Sequence, residues 1–152
     1  MTEARPLYRY SIVAIILHWV IAVLIVLNIY QGLKMDAASG LVKFVTFQNH
    51  KSVGITILLL SLARLAWRIA HPPPPYASSL STPEKVLSRV THWGFYVIMI
   101  AMPLTGWLAV SASPTNLPTL LYRGWGFPGI PWPHLPVVPH LPLPQKQHVE
   151  KL

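Results

Sequence analysis

Histidine is the residue type in this sequence that is best suited to metal chemistry, because the chain contains seven His and no Cys. The lack of cysteine excludes a disulfide framework, thiolate-bound zinc or iron–sulfur clusters, and a cysteine nucleophile. Neutral imidazole, in contrast, is a common ligand of haem iron. We therefore expect any metal chemistry of this chain to depend on histidine.

His18 lies inside an apolar run without formal charge that extends from Ser11 to Gly32. An ionisable side chain in such a segment is a functional candidate. Its neighbours one helical turn away are Ala14 and Ala22, so a strip without bulky side chains passes the imidazole. This pattern is compatible with a porphyrin face packed on the strip, and equally with a histidine that bonds between helices.

His50 repeats this pattern in a second apolar run, with Thr46 and Gly54 one turn away on either side. A glycine inside a helix costs about 1 kcal/mol relative to alanine, which indicates close approach of a large group. Either a haem or a second helix meets that requirement.

His92 is a weaker candidate for an axial ligand, because Phe95 and Tyr96 fill the space beside it that a porphyrin needs. A hydrogen bond to a haem propionate or an interfacial group is the better functional reading. The remaining histidines of the first 140 residues adjoin prolines and are expected on the solvated surface; they are His71, His134 and His140.

Arg64 and Arg68 lie one turn apart at the end of the second apolar run. Cations at this position are suited to haem propionates or quinone headgroups. Anchoring of a membrane helix explains them equally well.

The composition predicts the elements that position these side chains. Of 152 residues, 53% are hydrophobic and 11% charged, whereas a soluble domain carries about 25% charge. We expect an all-α membrane protein with three transmembrane helices, near residues 11–33, 50–70 and 88–110. The second helix should begin at Asn49 to Lys51, and the third should follow a cap near Thr82.

The segment after the third helix is unusually rich in proline, with nine prolines between Pro114 and Pro144. No packed element is expected there; so long a loop is either an ordered functional loop on the membrane surface or a flexible segment. The net charge of +8 arises from thinly spread basic residues at the ends of apolar runs, which argues against a nucleic-acid partner. Their distribution predicts a cytoplasmic amino terminus and an external proline-rich loop.

Three stretches together resemble the bacterial cytochrome b561 family. They are the first helix with its His18-Trp19 pair, the stretch from Asn49 to Arg68, and the stretch from Leu87 to Trp107. The resemblance covers most of residues 8 to 110.

The resemblance implies an up-and-down four-helix bundle in the bacterial inner membrane that binds two b-type haems through paired histidines. It implies electron transfer between the quinone pool and a small donor or acceptor such as superoxide. It assigns His18 to the cytoplasmic-side haem and His50 to the periplasmic-side haem, with Gly54, Arg64 and Arg68 around them. His148 is similar to the first histidine of the fourth helix, which would pair with His50.

The sequence departs from the family where the fourth helix should follow. We expect a three-helix region over residues 1–110, a proline-rich periplasmic loop over 111–147, and the start of a truncated fourth helix over 148–152. The deep histidine that would pair with His18 is missing from this sequence. The inner haem is therefore expected to be lost, weakly held or left with five-coordinate iron, unless His18 takes another partner such as His92.

Two other functions are compatible with the sequence. One is a haem-free membrane anchor or scaffold, in which the histidines are packing residues. The other is a cytochrome b subunit of a larger dehydrogenase or hydrogenase, which would require a redox protein partner. A b-type absorption band separates the first from the electron carrier, and co-purification of a peripheral redox subunit identifies the second.

Overall fold

The structure, a computed structural model, describes residues 11–72, 80–115 and 117–136. Three long helices come first: α1 (Ile12–Ala37), α2 (Gly40–Ala70) and α3 (Thr82–Ser111). Each is long and apolar enough to cross a membrane, which confirms the predicted helical membrane fold. Two short strands, β1 (Thr119–Leu121) and β2 (Ile130–Trp132), follow with a 3₁₀ turn between them.

Helix α1 is tied to the end of α2 at its first turn. The hydroxyl oxygen of Ser11 accepts a hydrogen bond from the backbone N–H of Ala14 at 3.2 Å and from the indole N–H of Trp67 at 2.9 Å. One side chain thus caps α1 and joins it to α2. Above this junction the two helices share the small buried core.

Helix α2 begins at Gly40 and not near Asn49 as the sequence predicted. The reason is that residues 40–49 contain no proline, and their lower hydropathy does not itself end a helix. Gly40 has a φ of 55°, which is accessible to glycine without strain and lets the chain reverse after only two residues. His50 consequently lies ten residues into α2, about 15 Å from its start.

Helix α3 begins at Thr82, as predicted. The Glu84 carboxylate accepts hydrogen bonds from the backbone N–H of Ser81 at 2.7 Å and from its hydroxyl at 2.8 Å, so the cap is formed. Farther along, the ring of Tyr96 is buried against α2. The guanidinium groups of Arg64 and Arg68 lie 5.6 and 5.9 Å from its centroid.

The expectation that no packed element follows α3 is wrong for residues 119–132. Strands β1 and β2 pair antiparallel, with Thr119 opposite Trp132 and Leu121 opposite Ile130. Gly126 and Gly129 have φ angles of 85° and 84°, and these allow the tight reversal between the strands. The prolines are tolerated because a two-stranded hairpin consists only of edge strands.

The hairpin docks on α2 through side chains of that helix. The amide of Gln48 donates to the carbonyl of Pro118 at 2.9 Å and accepts from the N–H of Leu120 at 3.3 Å. The hydroxyl of Ser52 accepts from the N–H of Tyr122 at 2.9 Å. Strand β1 therefore lies along the N-terminal half of α2.

Tyr122 occupies the left-handed region with a φ of 63°, which is uncommon for a non-glycine residue. This conformation accompanies two contacts with α2, the bond to Ser52 and a hydrogen bond between the phenol hydroxyl and Thr56. The indole of Trp107 in α3 donates to the carbonyl of Pro133 at 2.9 Å. The segment after α3 thus lies at the end of the bundle that holds the α1–α2 connection.

This arrangement predicts that the two ends of α3 face opposite sides of the membrane. The chain has no native cysteine, so Ser81→Cys and Thr115→Cys each create a single labelling site. In oriented membranes an impermeant maleimide should reach one of them only after permeabilisation. Labelling of both from the same side contradicts the topology.

The docking of the hairpin predicts a local effect of Gln48→Leu. The substitution leaves the Pro118 carbonyl and the Leu120 N–H without their side-chain partner, which should weaken docking by about 1–3 kcal/mol. Hydrogen–deuterium exchange should accelerate in residues 117–136 while α1 keeps its protection. Ser113→Ala, which removes an exposed bond to Thr115, is the control. Unchanged exchange in the hairpin refutes the docking contact.

Candidate functional site

His50 is half-buried between α1 and α2, and its orientation is set by the backbone of α1. Its Nδ1 lies 3.1 Å from the carbonyl oxygen of Asn28. A carbonyl oxygen accepts only, so Nδ1 carries the proton and donates. In the neutral ring Nε2 then presents a lone pair, which is the usual state of a metal-binding imidazole.

Two glycines lie at this contact between the helices. A Cβ atom on Gly32 would be 3.5 Å from Cε1 of His50, and one on Gly54 would be 3.7 Å from Nδ2 of Asn28. Both positions therefore face the neighbouring helix. Gly54, a sequence-predicted site residue, lies one turn from His50 and against Asn28.

Several buried polar oxygens lie on the turns of α1 and α2 that hold His50. The side-chain oxygens of Asn28, Gln31 and Asn49 are buried and have no hydrogen-bond partner among the described residues. Buried acceptors of this kind are costly, so they indicate a polar site. Gly124 of the hairpin packs so tightly on Asn49 that a Cβ there would collide with the amide. The hairpin thus adjoins the site from outside the bundle.

His18 lies on the exposed surface of α1, at a different depth from His50. Ten residues, about 15 Å of helix, separate His18 from Asn28, the residue that anchors His50. His18 lies seven residues beyond Ser11, which bonds to Trp67 near the end of α2, and His92 lies one turn before Tyr96, whose ring meets Arg64. These contacts place His18, Arg64 and His92 toward the same end of the bundle, opposite the α1–α2 connection.

His92 is exposed on α3, and its ring is anchored as that of His50 is. Its Nδ1 donates to the carbonyl oxygen of Ser88 at 2.8 Å, which leaves Nε2 available. Phe95 and Tyr96 do not enclose this imidazole, contrary to the sequence prediction. Tyr96 is buried against α2, and Phe95 is itself largely exposed.

Arg64 and Arg68 occupy the same end of the bundle as His18. Both guanidinium groups lie near the face of Tyr96, a cation–π arrangement that holds them in place. The acids within the described ranges are Asp36 and Glu84, neither of which forms a salt bridge with these arginines. Within the described residues, no acid neutralises the positive charge at this end.

The other histidines contribute less. His71 is exposed and stacks on Trp67 with centroids 4.0 Å apart, in agreement with a surface position. The expectation of a solvated His134 is wrong, because its Nε2 is buried where the chain beyond β2 packs on α3. His140 and His148 lie outside the described residues.

The donor groups fit haem better than a metal ion held by protein ligands alone. Over 11–72, 80–115 and 117–136, no three His, Cys, Asp or Glu side chains converge on a metal position. Single imidazoles at two depths, two of them with Nδ1 anchored to a carbonyl, match axial ligation, in which the porphyrin supplies the other donors. Arg64 and Arg68, at the same end of the bundle as His18, are cations suited to binding the haem propionates.

Some residues of the site were not anticipated from the sequence. They include Asn28, Gln31 and Asn49, which lie on the turns of α1 and α2 that hold His50. They also include Tyr122, which contacts α2 from the hairpin. A signal existed for Asn28 and Gln31, since both are polar residues within an otherwise apolar run. No local signal exists for Tyr122, whose partners lie about 70 residues away in the sequence.

Comparison with known proteins identifies relatives of this chain. The chain is 27% identical over 107 residues to cytochrome b561 homolog 2 of Escherichia coli K12, a match that covers 69% of this chain and 57% of the relative. It is 28% identical over 102 residues to the probable superoxide oxidase CybB of Yersinia pestis, covering 64% of this chain and 56% of the relative. The chain therefore spans little more than half the length of these relatives.

The match to a family is broader than either pairwise similarity. Residues 9–140 match the sequence profile of prokaryotic cytochrome b561. This region includes all three helices, the hairpin, and His18, His50 and His92. Because the match extends over most of its length, the chain belongs to the prokaryotic cytochrome b561 family.

Proposed function

We propose that this chain is a membrane electron-transfer protein that holds b-type haem through histidine. The observation that carries the proposal is the His50 imidazole, fixed by the Asn28 carbonyl with Nε2 free. Family membership supports the choice of haem as the cofactor. When bound, haem b supplies a one-electron ferric/ferrous couple.

At the outer site, His50 would hold the haem iron through Nε2, with His148 as the proposed second ligand. The Asn28 carbonyl holds the ring of His50 in one tautomer and one orientation, which also raises the basicity of Nε2. Gly32 and Gly54 let α1 and α2 approach closely enough to keep this hydrogen bond short. The pairing with His148 rests on the resemblance to the family's fourth helix.

At the inner site, His18 would be one ligand of the haem, and His92 is the candidate partner within the described part of the chain. The position of both toward the same end of the bundle and the Nδ1 of His92, which donates to the Ser88 carbonyl, support this pairing. Arg64 and Arg68 would hold the propionates by charge-assisted hydrogen bonds.

Electrons are the cargo favoured by the charge pattern, because a proton relay uses carboxylates within the membrane. Asp36 and Glu84, the acids in the described ranges, lie near helix ends. Quinone or another small redox molecule is the proposed partner. A relative named as a probable superoxide oxidase supports superoxide as a donor, which would lose one electron and leave as dioxygen.

The proposed location is a bacterial inner membrane, with the amino terminus in the cytoplasm. Residues 1–110 then form the transmembrane region, residues 111–147 the periplasmic segment with its hairpin, and 148–152 the beginning of a fourth helix. Lipid bilayer surrounds the exposed apolar faces of α1, α2 and α3.

The outer site predicts that His50 and His148 serve one haem. Purified membranes with the intact chain should show a b-type band in reduced-minus-oxidised spectra. His50→Ala and His148→Ala should each remove the same component, whereas the surface variant His71→Ala should not. A spectrum unaffected by His148→Ala refutes the pairing, and no band in the intact chain favours the haem-free scaffold.

The inner site predicts that His18 and His92 act as a pair in the 152-residue chain. His18→Ala and His92→Ala should each abolish the same low-spin paramagnetic-resonance signal and lower the haem bound per polypeptide. The inner haem should also be lost more readily than the outer one, because His18 and His92 lie on exposed helix surfaces while His50 is half-buried. Two fully occupied low-spin haems in the His92→Ala variant contradict this assignment.

A further inference from the structure

The hairpin carries an apolar edge that is largely exposed. Three large side chains on the turn and on β2 are at least half exposed: Trp125 at 50%, Phe127 at 61% and Ile130 at 60%. Such a group on an extramembrane segment indicates an interaction surface.

The level of this edge along the bundle follows from the contacts of β1. The strand is bonded to Gln48, Lys51 and Ser52 of α2, the same turns that hold His50. His50 in turn contacts Gly32 of α1. Lys34, the first charged residue after the apolar run of α1, follows only two residues, about 3 Å, beyond Gly32. The hairpin therefore lies where the apolar part of the bundle ends.

That level is the boundary between hydrocarbon and water, where aromatic side chains are favoured. The charge of the segment fits the same surroundings. Residues 112–136 contain no Asp or Glu and one cation, Arg123, which is exposed and two residues from Trp125. A guanidinium beside exposed aromatic rings is suited to lipid phosphate.

We propose that Trp125, Phe127 and Ile130 insert into the interfacial layer of the bilayer, with Arg123 at the level of the phosphates. The hairpin is then held from two sides, by Gln48 and Ser52 of α2 and by lipid. The depth of the edge and the absence of acidic residues beside it favour lipid over a protein partner.

A spin label on the edge tests the proposal in the full chain. The exposed Phe127 is changed to Cys and labelled with a nitroxide, in nanodiscs of phosphatidylethanolamine and phosphatidylglycerol. Two labelled controls bracket it: Thr115→Cys in the exposed connection after α3, and Val26→Cys on the exposed face of α1. Collision rates are measured with oxygen, which partitions into lipid, and with a neutral nickel chelate, which stays in water.

The label at 127 should show oxygen access between those at 26 and 115, and several-fold less nickel access than at 115. Nickel access equal to that at 115 shows that the edge lies in water and overturns the proposal. Protection from both reagents shows a protein cover, either a partner or a second copy, and overturns it as well. These outcomes do not depend on bound haem, so they test membrane insertion of the edge independently of the proposed function.

Discussion

The hydrogen bond from His50 to the Asn28 carbonyl is the contact on which the proposed chemistry most depends. A metal-binding imidazole must be held in one tautomer and one orientation. The carbonyl of Asn28 does this with a group that no side-chain substitution can remove. The close approach of α1 and α2 at Gly32 and Gly54 brings that carbonyl within reach. The packing of α1 on α2 therefore also sets the orientation of the His50 ring.

The same constraint explains the hairpin. Gln48 and Ser52 face away from α1, and their amide and hydroxyl groups would be costly if left unpaired in an apolar environment. The backbone of residues 118–122 supplies the partners. A proline-rich segment suits this task, because prolines restrict the unfolded chain. Prolines also leave fewer backbone N–H groups that need partners, and α2 supplies partners for those of Leu120 and Tyr122. The polar surroundings of His50 and the extramembrane structure are therefore built on adjacent turns of one helix.

The parts of the fold that could be predicted are those encoded by local pattern. Charge-free apolar runs gave the three helices, and the Ser81 and Glu84 cap gave the start of α3. The start of α2 was misplaced because lower hydropathy was taken for a loop, although no residue there breaks a helix. The hairpin was missed for another reason. Gln48 and Pro118 are 70 residues apart, and no local pattern in 112–136 shows that α2 offers hydrogen-bond partners.

The candidate site divides in the same way. His18, His50 and His92 were found as ionisable residues in apolar segments, and the structure adds the anchoring of two of these rings. The polar groups near His50 were not predicted, because the contacts of Asn28 and Asn49 form only when α1 and the hairpin pack on α2. Tyr96 was expected beside His92 as an obstruction, but it packs against two arginines that the sequence could not assign to it.

An experimentally determined structure of the haem-loaded protein is the most direct test of the central claim. The account predicts that Nε2 of His50 coordinates iron while Nδ1 keeps its hydrogen bond to the Asn28 carbonyl. Haem bound with His50 remote from the iron, or with Nδ1 as the ligand and the Asn28 contact broken, would contradict it.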